Sequence, residues 1–156
     1  DWFKKKKLPI FIITGGLDFT CQSISKRLGV TDFRSNRVEI EDGKLTGRIK
    51  GTLLNGLQKK LHFEELCQKH SLDPSRALMI GDGANDKKVL EASGLAVGFK
   101  PRKILHPILD VYNGTGNQYN KQYKKNLIIY NIFIINVCVF MKDKIILLPK
   151  LVFNLF

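Results

Sequence analysis

The sequence predicts an α/β fold: a parallel sheet with helices on both faces, carrying one β-hairpin insertion. Three observations predict it. The apolar runs at residues 10–13, 77–80 and 95–99 are continuous rather than alternating, as strands buried on both faces are. Stretches with helical spacing lie between them, and such alternation implies parallel strands. Glycine-rich turns follow the first two runs directly, at Thr14-Gly15-Gly16 and Gly81-Asp82-Gly83.

Taken in order, Ile10-Phe11-Ile12-Ile13 forms the first strand and Thr14-Gly15-Gly16 ends it. Leu17, Cys21, Ile24 and Leu28 then make a helical stripe that Gly29 closes. Val38 and Ile40, then Leu45 and Ile49, alternate with polar residues on either side of Asp42-Gly43, a dipeptide suited to a two-residue hairpin turn. Phe63, Leu66, Cys67 and His70 share one helical face, and Leu72-Asp73-Pro74 breaks that helix. Residues 77–80 are a short strand, followed by the turn-rich loop Gly81-Asp82-Gly83-Ala84-Asn85-Asp86. Val89, Leu90 and Ser93 form a short helix stopped by Gly94, and residues 95–99 form another strand.

Composition bounds the rest. A chain of 156 residues has room for one domain, and 44% hydrophobic with 26% charged residues excludes collagen-like and wholly disordered classes. The formal charge of +12 raises the question of a nucleic-acid or membrane-surface partner. Basic residues outnumber acidic ones by 20 to 12 over 1–104 and by 6 to 2 over 105–156, with no stripe of Lys or Arg interleaved with aromatics. A solvated basic surface accounts for this, and no nucleic-acid partner is expected. Cys21, Cys67 and Cys138 are scattered and His62, His70 and His106 are not clustered. Neither a disulfide framework nor a structural zinc site follows, so a reducing, cytoplasmic setting is the expectation. Four lysines at 4–7 precede an apolar stretch of six residues that contains Pro9. That is shorter than the roughly 7–15 residues of a secretory signal, and it reads as a basic end running into a buried strand.

Residues 1–104 therefore read as the core and 105–156 as a low-complexity apolar and basic tail. From Lys121 to Phe156, 28 of 36 residues are Ile, Leu, Lys, Asn, Phe or Tyr, and Gly, Ala, Ser, Thr and Glu are absent. The run 127–141 falls short of the ~20 apolar residues that span a bilayer, and Asn131 and Asn136 interrupt it. No membrane partner is expected.

Two polar clusters lie at the carboxyl ends of predicted strands, where open α/β sheets bind ligands. In Thr14-Gly15-Gly16 a hydroxyl followed by glycines lets one O–H and backbone N–H groups approach an anion, although a strand-to-helix turn uses glycine in any case. In the second cluster Asp82 and Asp86 suit a hard cation, since magnesium takes one or two carboxylates, several waters and a substrate phosphate. Asp86 also stands where it could cap the next helix. For Asp82, between two glycines, no structural demand for a carboxylate is evident.

Together the clusters resemble the haloacid dehalogenase superfamily of phosphatases and, more narrowly, the phosphoserine phosphatase family. The resemblance is carried by IITGG (12–16), SNRVEIEDGKLTGRIKG (35–51), QKK (58–60) and MIGDGANDKKVLEASGLAVGFKPRK (79–103). It implies a Rossmann-like, haloacid dehalogenase-like core over about residues 10–103. It also implies magnesium-dependent hydrolysis of O-phosphoserine to serine and phosphate, a serine-biosynthetic reaction. By resemblance, Thr14 and the Gly15 amide bind phosphoryl oxygens. Lys59, rather than its neighbour Lys60, neutralises charge on the transferring phosphoryl group and on the nucleophile. Asp82 binds Mg²⁺ directly, Asn85 contacts the phosphate side and Asp86 holds the metal shell. Such roles suit phosphoryl transfer, which is mostly positioning and charge stabilisation.

One departure stands against activity. In this family an aspartate of a DxDx(T/V) motif attacks phosphorus, and the second aspartate of the motif acts as acid and base. No two aspartates in these 156 residues are two apart. The resemblance therefore implies that the nucleophile, the acid/base, one metal ligand, the central strand and the substrate-selecting cap are missing here. The expectation for this chain alone is a catalytically inactive remnant or phosphate-binding chain. The apolar tail at 127–140 could fill the place of the missing strand, but its composition gives no reason to expect it.

Overall fold

The computed structural model describes residues 7–113 and the backbone of 137–140. Strand β1 (Ile10–Leu17) leads into helix α1 (Asp18–Leu28), which Gly29 closes in the left-handed conformation. Strands β2 (Asp32–Glu41) and β3 (Lys44–Lys50) follow, then helix α2 (Gly56–Lys69). Strand β4 (Ala77–Gly81), helix α3 (Lys87–Ala92), strand β5 (Leu95–Phe99) and strand β6 (Val111–Asn113) complete the alternation. Strand β7 (Val137–Phe140) comes from the tail. The predicted α/β class and its parallel strands are present.

The hairpin is two-residue, as expected: Glu41 pairs with Lys44, and Asp42 and Gly43 both have positive φ, at 49° and 74°. Those angles are the I′ type that matches strand twist. Its first strand also reaches into the parallel sheet. The first half of β2 pairs in parallel with β1 through Phe11↔Asp32, Ile12↔Phe33 and Ile13↔Arg34, and only its second half pairs with β3. Asp32, Arg34, Ser35 and Asn36 hide that strand from a search for apolar runs. Ile40 and Leu45, on the hairpin, stay largely exposed.

The core follows strand alternation. Phe11 and Ile13 of β1, Ala77 and Met79 of β4 and Ala96 of β5 form one buried cluster with Phe63, Leu66 and Cys67 of α2 and Val89 and Leu90 of α3. Ile12, Leu78, Ile80 and Val97 alternate with them and are buried too, so these strands have no wet face. Cys21 and Cys67 are free thiols in this interior, and burial pushes Cys67 up to about 11. The sheet runs on beyond residue 104. Leu105 is fully buried, and Asp110 both donates its N–H to the Ala96 carbonyl and accepts the Ala96 N–H on Oδ2. Most of the tail, including most of the 127–141 run, lies outside the described residues, as do residues 1–6. Among the described residues no helix is long and apolar enough to cross a membrane.

The sheet order is β3-β2-β1-β7-β4-β5-β6. Every neighbour of β1, β4 and β5 is parallel except β7, which runs antiparallel between β1 and β4. Tail residues thus occupy a central position, and the β-branched and aromatic side chains of Val-Cys-Val-Phe suit a strand. The shared pairing also sets a level: Val137 pairs with Ile12 on one side and Ile80 on the other. Thr14 and Asp82 each follow two residues further along, at the same end of the sheet, on the two strands that flank β7 and so lie about 10 Å apart.

At the opposite end, Asp32 joins β2 to the end of α2. It accepts from Lys69 Nζ at 2.8 Å and from its own neighbour Phe33 N at 2.8 Å, and lies 3.4 Å from His70 Nε2 and 3.1 Å from Arg34 Nη1. Burial raises the Asp32 carboxyl, but these donors together outweigh it and bring it from 3.8 down to about 2. A carboxylate depressed on folding stabilises above its unfolded value and loses that contribution as pH falls through its folded value. We expect Asp32→Asn to lower Tm at pH 7, with the gap from wild type closing between about pH 4 and pH 2 in thermal melts. For β7, Cys138→Pro removes an N–H from a central strand and leaves a buried carbonyl without its donor, which should cost about 1–3 kcal/mol in denaturant unfolding. An unchanged midpoint would contradict its place in the sheet.

Candidate active site

The first cluster is a bulge. Between Ile13↔Arg34 and Leu17↔Asn36 the β1 strand advances four residues while β2 advances two, so the excess chain at Thr14-Gly15-Gly16 loops out. Thr14 Oγ1 accepts the Gly16 N–H at 3.1 Å. The Thr14 O–H proton remains available to donate. Gly15 and Gly16 are exposed.

The second cluster closes around Asp86, which is 0% exposed. Its Oδ2 accepts the N–H groups of Asp82 (3.1 Å) and Gly83 (2.9 Å), and its Oδ1 accepts from Lys59 Nζ at 2.7 Å. The Gly83 bond also makes Asp86 a cap, as expected of it, for the 3₁₀ turn Ala84–Asp86 that runs into α3, although no side-chain cap bond forms at the first residue of α3 itself. The side chain turns back over Gly81. A Cβ at Gly81 would lie 2.8 Å from the Asp86 Cβ, so only glycine leaves room for that turn.

Lys59 is 2% exposed, which a lysine tolerates only when paired. It sits in the first turn of α2, where the helix dipole disfavours a cation. The Asp86 carboxylate offsets both penalties. Asn55 fixes where that turn begins, accepting from Leu57 N and Gln58 N at 2.9 and 3.0 Å. Lys60, one residue on, points outward and pairs loosely with Glu64 at 3.5 Å.

Asp82 is exposed, and its carboxylate has no hydrogen bond or ion pair among the described residues. Asn85 is exposed beside it, and its backbone lies close against the start of α2: a Cβ at Gly56 would lie 3.0 Å from the Asn85 carbonyl oxygen. Among the described residues no group of three His, Cys, Asp or Glu converges on a metal position. The donor set that remains is one open carboxylate at a strand end, with Asp86 holding the amides on either side of it.

Asn36 and Asn55 are polar residues that the sequence reading passed over. Asn55 carried a recoverable signal, a capping residue just before an amphipathic run. Asn36 is buried in β2, donates from Nδ2 to the Gly15 carbonyl at 2.7 Å, and accepts the Leu54 N–H on Oδ1 at 2.8 Å. No sequence pattern singles it out.

Removing one partner of a buried pair leaves the other charge stranded. We expect Lys59→Ala to cost about 3–5 kcal/mol in chemical denaturation. Lys60→Ala, at an exposed i,i+4 pair, should stay within about 0.5 kcal/mol of wild type. Equal costs at the two positions would contradict the placement.

Comparison with known proteins gives the family. The haloacid dehalogenase-like hydrolase family matches residues 1–91. A phosphoserine phosphatase of Archaeoglobus fulgidus is 32% identical over 107 residues, covering 69% of this chain and 31% of that protein. Among solved structures, a haloacid dehalogenase family hydrolase of Salmonella enterica superposes with a TM-score of 0.67 at 29% identity, covering 72% of this chain and 38% of the other. A substrate-bound phosphoserine phosphatase superposes at 0.66 with 28% identity, covering 71% and 53%. The chain thus spans from about a third to about half the length of these relatives. It belongs to the haloacid dehalogenase-like hydrolase family.

Proposed function

We propose that this chain carries the phosphate- and metal-binding side of a phosphoserine phosphatase-type site, and that it does not by itself hydrolyse O-phosphoserine. The observation that carries the reading is the placement of Thr14 and Asp82 at the same end of the two strands that flank β7, with Lys59 bound to Asp86 behind the Asp82 loop. Two strand ends about 10 Å apart, one bearing a hydroxyl and the other a carboxylate, leave room for a phosphate and a cation between them. The phosphoserine phosphatases among its relatives are longer proteins, and they support the substrate class assigned here: a phosphorylated small molecule.

In this reading the Thr14 O–H and the Gly15 amide bind phosphoryl oxygens, with Asn85 on the same side. Lys59 supplies positive charge near the transferring group. The donor set around Asp82 fits Mg²⁺, which takes one or two carboxylates and keeps waters and phosphate oxygens. Asp82 would hold it directly, and Asp86 would fix the Asp82 loop from below. When bound, the ion would neutralise charge on the phosphoryl oxygens. A cytoplasmic setting for serine biosynthesis is part of the same proposal.

The reading of an inactive chain rests on its own observation: the sequence contains no Asp-x-Asp pair. Binding groups lower a barrier only when something attacks phosphorus, and without a positioned nucleophile roughly 7–11 kcal/mol of orientation is lost. The purified chain should show no turnover of O-phospho-L-serine above background at pH 7 with Mg²⁺. Turnover that disappears in Asp82→Asn would overturn this, because contaminating phosphatase would not follow that substitution. The binding half is tested separately by calorimetry. Mg²⁺ should bind weakly in the presence of inorganic phosphate, and Asp82→Asn should abolish the heat. Identical titrations for wild type and variant would sink the metal assignment.

A further inference from the structure

We infer that Asn36 is a positioning residue for the proposed phosphate site: it locks the orientation of the Gly15–Gly16 peptide and ties that loop to the segment that begins the Lys59 helix. This rests on the phosphate-site reading of Thr14-Gly15-Gly16. The Asn36 side chain is 4% exposed, and both ends of its amide are used. Nδ2 donates to the Gly15 carbonyl at 2.7 Å, and Oδ1 accepts the Leu54 N–H at 2.8 Å. Leu54 adjoins Asn55, the cap that starts the helix carrying Lys59.

The consequence follows from peptide geometry. There is no cis bond among the described residues, so the Gly15 C=O and the Gly16 N–H point in opposite directions from one rigid plane. Asn36 holds the carbonyl end of that plane, and Thr14 Oγ1 accepts from the N–H end at 3.1 Å. With the peptide so clamped, the carbonyl oxygen is turned into β2 and away from an incoming anion. The Thr14 oxygen is engaged as an acceptor, which leaves its proton to donate to phosphate. Were the clamp lost, two flexible glycines could flip the plane and present a carbonyl oxygen to the anion. Only a side-chain amide at this depth supplies a donor and an acceptor at the same reach. Aspartate keeps the acceptor and loses the donor, so Asn36→Asp cuts one bond and spares the other.

The test uses the full chain with inorganic phosphate and Mg²⁺, read by ¹⁵N amide shifts, hydrogen exchange and thermal melting. In Asn36→Asp the Gly16 amide should exchange roughly tenfold faster while the Leu54 amide stays protected, and phosphate affinity should fall roughly tenfold, the size of one lost buried hydrogen bond. Leu105→Ala, a core truncation in the segment packed on β5 and α3 that leaves both Asn36 bonds in place, should lower Tm at least as much and leave phosphate affinity alone. Wild-type affinity in Asn36→Asp, or an equal loss in Leu105→Ala, would overturn the inference. If the wild-type chain binds no phosphate, the functional reading falls. The exchange data then decide the clamp: faster Gly16 exchange with a protected Leu54 amide upholds it, and unchanged Gly16 exchange overturns it. Should Asn36→Asp fail to fold, Asn36→Ser, whose hydroxyl is too short to reach both partners, supplies the same comparison.

Discussion

An ammonium and a carboxylate 2.7 Å apart, both sealed from water, hold the two halves of this site in one arrangement. Lys59 belongs to a helix and Asp86 to the loop after β4, and each charge is tolerable only because of the other. Desolvating such a pair costs several kcal/mol per ion, so the bond need add little to net stability. It restricts alternatives instead. Any displacement of α2 relative to the Asp82 loop exposes a buried charge to an apolar interior. Asp86 spends its second oxygen on the Asp82 and Gly83 amides, so the same constraint fixes the loop that presents the open Asp82 carboxylate.

The rest of the site is linked to that pair through short polar contacts. Asn55 starts α2 so that Lys59 falls in its first turn, and the adjacent Leu54 amide is held by Asn36, which also holds the Gly15 carbonyl. Thr14-Gly15-Gly16 and Gly81-Asp82-Gly83 are thereby connected through residues 54–59 as well as through the sheet. In the sheet itself the connection is β7, whose antiparallel run sets Ile12 and Ile80, two residues before Thr14 and Asp82, at one level. Here a segment from the tail occupies the strand position between β1 and β4.

Features set by strong local signals were legible in the sequence. Continuous apolar runs gave β1, β4 and β5, and Asp42-Gly43 gave the hairpin turn, because burial and left-handed φ each demand particular residue types. Thr14, Lys59 and Asp82 could be picked out as candidates because glycine-rich strand ends and a specific resemblance marked them. What escaped was set by tertiary partners. The first half of β2 reads as polar because Asp32 and Arg34 are matched to Lys69 and to each other, and Asn36 to two backbone groups. Nothing local in Asn36 discloses those partners. Asp86 looked like a cation ligand and a helix cap, but its burial under Lys59 depends on a residue 27 positions earlier. Strand β7 escaped for a related reason, since its pairing is with strands more than fifty residues away.

The most direct test of this account is a double-mutant cycle on the buried pair, with Lys59→Met, Asp86→Leu and the double variant compared by denaturant unfolding of the full chain. If each charge is tolerated only through the other, both single variants lose stability strongly. The double variant should then recover much of that loss, giving a coupling of about 2–3 kcal/mol. Additive losses, with the double variant as unstable as the two singles summed, would show that Lys59 and Asp86 do not constrain one another and would contradict the account.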